Sequence, residues 1–94
     1  MAFDLIIKDK AIEETTEAYL YYESRLDGLG ERFLRSLQER YDQIALNPHY
    51  FSFVDNTNAL RDVKVEDFPF VVIYDVQDSI VTVYSVHNTY KNRE

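Results

Sequence analysis

FPFVVIYDVQDSIVTVYSVH, residues Phe68 to His87, reads as two strands, Phe70–Val76 and Ile80–His87, joined by the polar turn Gln77-Asp78-Ser79. Both runs are dense in Val, Ile, Phe and Tyr, which suit a pleated surface. In the first, Phe70, Val72 and Tyr74 alternate with Val71 and Ile73. Neither set is polar, so the pattern predicts a central strand covered on both faces. In the second, Val81 and Val83 oppose Ile80, Tyr84 and Val86, and His87 falls at the end.

The flanking segments read as cover for this hairpin. Leu60–Val65 is a third strand, with Arg61, Val63 and Val65 on one face, and Glu66-Asp67 turns the chain into the hairpin. Residues 49–59 form a loop with three aromatics, part of which should pack down. Before it, a helix over about Glu31–Leu46 carries the stripe Phe33, Leu37, Tyr41 and Ile44, and Asn47-Pro48 stops it. An earlier helix begins at Lys10 with Asp9 as N-cap. Its stripe is Ile12, Thr15, Tyr19, Tyr22 and Leu26, and Glu13, Glu14, Glu17 and Glu23 fall mainly to solvent. Asp27-Gly28-Leu29-Gly30, with the only two glycines of the chain, joins the helices as an antiparallel hairpin. Phe3–Lys8 opens the chain as a strand with Phe3, Leu5 and Ile7 on one face. The tail Asn88–Glu94 is polar. The order is β-α-α-β-β-β, an α+β class in which a helical hairpin covers one face of a mostly antiparallel sheet.

Ninety-four residues, 46% of them hydrophobic, make one domain, residues 1–94. The chain has no cysteine, and it has no apolar run long enough for a leader or a membrane span. A soluble cytoplasmic protein without membrane contact is expected. Ten basic residues face 17 acidic ones, for a net charge of −7. That balance argues against strong direct nucleic-acid binding, which depends on neutralising phosphates. Two histidines and no cysteine give no zinc spacing, and two glycines give no phosphate-cradling loop. Neither a metal nor a cofactor is expected.

Several local features, in this order, resemble the RelE/ParE superfamily of type II toxin–antitoxin toxins. They are Ala18-Tyr19-Leu20-Tyr21-Tyr22, the Gly30–Leu34 start of the second helix, the Asn47-Pro48 stop and Leu60-Arg61 opening a strand. Phe68-Pro69-Phe70 leading to Ile73-Tyr74, and Val86-His87 closing the last strand, complete the set. The resemblance implies a growth-inhibiting toxin held inactive by a cognate antitoxin. Ribosome-dependent members of the superfamily cleave mRNA with basic residues and a His, Tyr or Glu on the sheet. ParE-like members are described as gyrase inhibitors and lack that set.

Carried over residue by residue, Arg61 matches the family's Arg after the loop and would hold a phosphate, or else pair with a carboxylate. His87 matches the terminal-strand His and would act as general acid or base in a metal-independent endoribonuclease, or else be a structural strand-end residue. Lys64, Tyr84, Tyr90 and Lys91 are candidate binding residues. Tyr74 is a stacking platform or a core tyrosine. Against cleavage, Phe70-Val71 stands where nuclease relatives place an Arg before the central strand motif. Lys64 is the only lysine of the three C-terminal strands. Loss of cations removes the main stabilisation of a phosphoryl-transfer transition state. The expected function is therefore ParE-like binding of a protein target, such as gyrase. The alternatives are an mRNA interferase using Arg61 and His87, an inactive toxin-like binding module, and a homodimer that buries the sheet face.

Overall fold

The computed structural model describes residues 2–54 and 59–90. Strand β1 (Asp4–Ile7) leads into helix α1 (Asp9–Arg25) and helix α2 (Leu29–Leu46), followed by a 3-10 turn at Pro48–Tyr50. Strands β2 (Arg61–Lys64), β3 (Phe70–Gln77) and β4 (Ile80–Asn88) complete a four-stranded sheet in the order β1-β4-β3-β2. The β3–β4 hairpin is its centre. Its turn is shorter than the expected one, only Asp78 and Ser79, and Asp78 takes φ 56°, a left-handed conformation that Asp tolerates better than most residues. β2 pairs antiparallel with β3, whereas β1 pairs parallel with β4, from Asp4 opposite Ile80 to Ile7 opposite Val83. The α+β reading and the element order hold.

The register fixes which side chains meet the helices. Phe70, Val72, Tyr74, Val81, Val83 and Val86 are buried in one core with Phe33, Leu37 and Ile44 of α2. Tyr22 sits 5.0 Å from the Phe68 ring and Phe33 5.0 Å from the Phe70 ring, at tilted or edge geometries that favour aromatic pairs. Val71 and Ile73 are only half-buried. The sheet is thus covered on one face, and the expectation of cover on both is corrected. β3 is apolar on both sides although its outward side meets no helix among the described residues.

α1 also departs from its sequence reading. Its buried residues are Ala11 and Ala18, whereas Ile12 and Leu26 are 49% and 62% exposed. The small side chains let the helix lie close on β4 and α2; of the expected stripe Tyr22 packs on the core, whereas Ile12 and Leu26 are turned outward. Asp9 is the first helical residue rather than the cap, which is Lys8 with no side-chain cap bond. The link between the helices is Leu26-Asp27-Gly28, and Gly30 is inside α2. The two glycines are required for different reasons. Gly28 has φ 89°, a left-handed turn conformation, whereas a Cβ on Gly30 would lie 2.8 Å from the Tyr19 backbone oxygen.

Two glutamates expected in solvent are structural. The Glu23 carboxylate accepts from the backbone N–H groups of Gly28 and Gly30, both at 2.9 Å, and so satisfies donors at the start of α2. Glu14 accepts from Ser85 Oγ at 2.8 Å and from the Val86 N–H at 2.9 Å. β1 pairs with β4 only up to Val83, and beyond it the chain turns away through the Lys8 N–H to Val83 carbonyl bond. The Glu14 carboxylate therefore bonds the edge of β4 where its neighbouring strand stops.

Candidate functional site

Arg61 opens β2 opposite Tyr74, on the face that meets the helices. Its Nη1 donates to the carbonyls of Phe51 at 2.6 Å and His49 at 3.3 Å, and its guanidinium lies 3.8 Å from the centre of the Phe53 ring. Beside it the buried Tyr74 hydroxyl donates to the Pro48 carbonyl at 2.7 Å. Burial pushes the Tyr74 phenol up to about 12, against a smaller lowering by Arg61. Both side chains thus reach the segment that leaves α2 and hold it to the sheet. Tyr74 takes the core option of its two sequence readings.

His87 is placed differently. It pairs across to Val71, on the outward side and near the end of β4. Arg61 and His87 are separated by two strand spacings and three residue rises, on the order of 14 Å between backbones, and their side chains leave opposite faces. The structure does not bring the two candidate catalytic residues together.

His87 instead borders a groove of about 700 Å³ between α1 and the ends of β3 and β4, with Lys10, Glu14, Tyr21 and Tyr90 among its walls. Lys10, Glu14 and Tyr21 are not among the candidate site residues read from the sequence. Their spacing of 4 and 7 marks one helical face, but on a helix rich in Glu and Tyr that signal is not distinctive. Tyr90 is mostly exposed, and its N–H bonds Asn88 Oδ1 at 2.9 Å. Lys91, the last of the candidate binding residues, lies outside the described residues.

The outward face of the sheet carries the remaining candidates. Alternation places Asp62 and Lys64 of β2, Val71, Ile73 and Asp75 of β3, and Thr82 of β4 on it, with Asp4 and Ile6 of β1. The bulge in β4 skips Tyr84, which has no partner residue on β3, and its hydroxyl donates to Asp75 Oδ2 at 2.9 Å. That bond to a carboxylate holds the Tyr84 phenol above its ordinary range, so the side chain is a donor and not a base. Lys64 is exposed, and its carbonyl accepts from Arg40 Nε at 2.7 Å. Among the described strand residues the face thus sets Asp4, Asp62 and Asp75 against Lys64. A phosphate brought to it would meet more negative charge than positive.

Residues 5–91 match the family model described as the ParE toxin of the type II toxin–antitoxin system parDE. Among solved structures, the chromosomal ParDE system from P. aeruginosa aligns with TM-score 0.66 and 18% identity, covering 93% of this chain and 96% of that one. A mutant E. coli RelE toxin in the free state aligns with TM-score 0.73 and 18% identity, covering 98% and 88%. The YoeB dimer from Staphylococcus aureus aligns with TM-score 0.63 and 13% identity, covering 92% and 95%. At these identities the structures speak for the fold alone. No curated protein matches the chain at a significant level.

Proposed function

We propose, from the premise that this chain belongs to the ParE toxin family of type II toxin–antitoxin systems, that it arrests growth by binding a protein target and is neutralised by a cognate antitoxin. Gyrase is the target this reading favours, because the family resemblance is to its ParE-like branch. The observation that carries the choice is the charge of the outward sheet face, Asp4, Asp62 and Asp75 against Lys64. A ribosome-dependent nuclease must dock on RNA and stabilise a phosphorane, and both tasks need cations. Arg61, the one guanidinium assigned to that task, is committed to the carbonyls of residues 49 and 51.

Induced expression of the chain alone, with growth, DNA damage and mRNA followed together, tests this. Growth arrest with DNA damage and intact mRNA is the expected result, and co-expression with the product of the adjacent gene should restore growth. Purified chain should inhibit gyrase supercoiling. Cleaved mRNA on translating ribosomes, abolished by His87→Ala, would replace this reading with the interferase one. Full growth with soluble chain present would leave only the binding-module reading.

A further inference from the structure

The groove between α1 and the ends of β3 and β4 measures about 700 Å³, within the roughly 300–1,000 Å³ that holds a small organic molecule. Its walls are of two kinds. On α1, Glu14 brings a carboxylate that is already fixed in place. Both of its bonds, from Ser85 Oγ at 2.8 Å and the Val86 N–H at 2.9 Å, end on Oε1. Oε2 takes no hydrogen bond among the described residues, so it is the acceptor that Glu14 offers to the groove. Further along, Tyr21 and Tyr22 of α1 meet Phe70 of β3 and Tyr90. Tyr21 stands at 73° to Tyr22, and Tyr22 at 68° to Phe70, with ring centres 5.3 and 6.3 Å apart. Rings crossed in this way form a corner that accepts another flat ring edge-to-face. Ala18, buried and midway between Glu14 and Tyr22, keeps the floor between the two parts low.

Charge selects what enters. A fixed carboxylate beside aromatic rings suits a cation, which pairs with the oxygen and is also drawn to ring faces. The Tyr21 ring already shows that preference, since the Arg25 guanidinium lies 4.8 Å from its centre. An anion could meet Lys10, one turn before Glu14, and His87. It would also meet Glu14 and Glu17 on the same helical wall, on a chain of net charge −7, and is opposed both locally and at long range. Tyr21 lies two turns beyond Glu14, roughly 11 Å along the axis. That interval takes a charge-assisted bond of about 2.8 Å, a short linker and a ring centred about 5 Å from its neighbours.

We propose that this groove binds a small organic cation, an aromatic ring that carries a protonated amine on a short linker. The ammonium pairs with Glu14 Oε2, and the ring enters the corner formed by Tyr21, Tyr22 and Phe70. The site concerns the groove alone and does not depend on whether the chain arrests growth.

Phenethylamine is the probe. Phenethyl alcohol serves as its uncharged analogue, hydrocinnamate as a ring-bearing anion and ethylamine as the ammonium without a ring. Titrated into isotope-labelled chain, phenethylamine should shift amide resonances of residues 14–22 and 86–90. It should bind at least ~5-fold tighter than each of the other three. Glu14→Gln, which keeps an acceptor for Ser85 and Val86, should bring phenethylamine down to the level of the alcohol. Tyr21→Leu should weaken it by about 3-fold or more. Glu13→Gln changes the net charge equally at an exposed position outside the groove, and should stay within about 2-fold. Equal binding of the alcohol, tighter binding of hydrocinnamate, or equal weakening by Glu13→Gln would overturn the proposal. So would resonance shifts outside the groove or none at all. A groove that takes up a leucine-rich peptide but none of the four compounds would be a protein-docking surface, and would overturn it too. The comparison of compounds needs only the unaltered chain, so the proposal remains falsifiable if Glu14→Gln fails to fold.

Discussion

Two tyrosines that look alike in sequence differ in their hydroxyls. Tyr74 donates to the Pro48 carbonyl, whereas the Tyr41 hydroxyl is buried with no hydrogen-bond partner among the described residues. Tyr74→Phe should cost about 1–2 kcal/mol, and Tyr41→Phe should be neutral or stabilise by up to about 1 kcal/mol, because only the first breaks a satisfied bond. Urea denaturation measures both. Burial pushes Tyr41 up to about 12, above the ordinary tyrosine value of roughly 10. Its contribution is therefore complete below about pH 10 and is lost as pH rises through about 12, since the unfolded chain ionises first. Tyr41→Phe should flatten the alkaline end of the stability profile. Glu14 makes a second contrast. Glu14→Ala strips the acceptor from Val86 N–H and Ser85 and should cost about 1–3 kcal/mol, while Glu14→Gln, which keeps an oxygen, should cost less. The helical stripe of Phe33, Leu37 and Ile44 was legible because large apolar residues announce burial. Glu14 and Glu23 were not, since a carboxylate that caps a backbone has the same letter as one in water.

The elements tell a similar story. β3 and β4 were readable because their apolar runs are long and bounded by turn residues, and α2 because its apolar residues keep helical spacing. α1 misled in part because its fully buried residues are alanines, although Tyr22 of the expected stripe does pack on the core. The sequence pattern weighted Ile12 and Leu26, which are exposed, over Ala11 and Ala18, which are not. Ala18→Leu should therefore destabilise by about 1–3 kcal/mol through overpacking, while Ile12→Ser should lie within about 0.5 kcal/mol of the parent chain. Thermal or urea unfolding decides it, and the reverse ranking would restore the stripe expected from sequence. The candidate pair of Arg61 and His87 failed to converge for a related reason. Alternation in a strand gives a residue's face only once the register is known, and the pairing of Arg61 with Tyr74 and of His87 with Val71 lay beyond what the sequence displays.

For the molecule as a whole, charge and topology act together. A net charge of −7 over 94 residues repels itself in the compact state and less in the expanded one. Raising sodium chloride from about 50 to 500 mM, which shortens the screening length to a few ångströms, should raise the melting temperature by a few degrees. A fall would show that favourable ion pairs outweigh the repulsion. The fold class and the acidic character were both open to inspection in the residue list. The location of three aspartates on one sheet face was not, because it depends on strands brought together from opposite parts of the chain.

The parallel pairing of β1 with β4 ties residues 4–7 to residues 80–83. Residues 4–7 therefore have no neighbouring strand until residues 80–83 have been synthesised. A nascent chain thus carries an unfinished sheet until β4 has been made. During that interval the segment that will become its outer strand is open to capture by whatever protein is being made alongside.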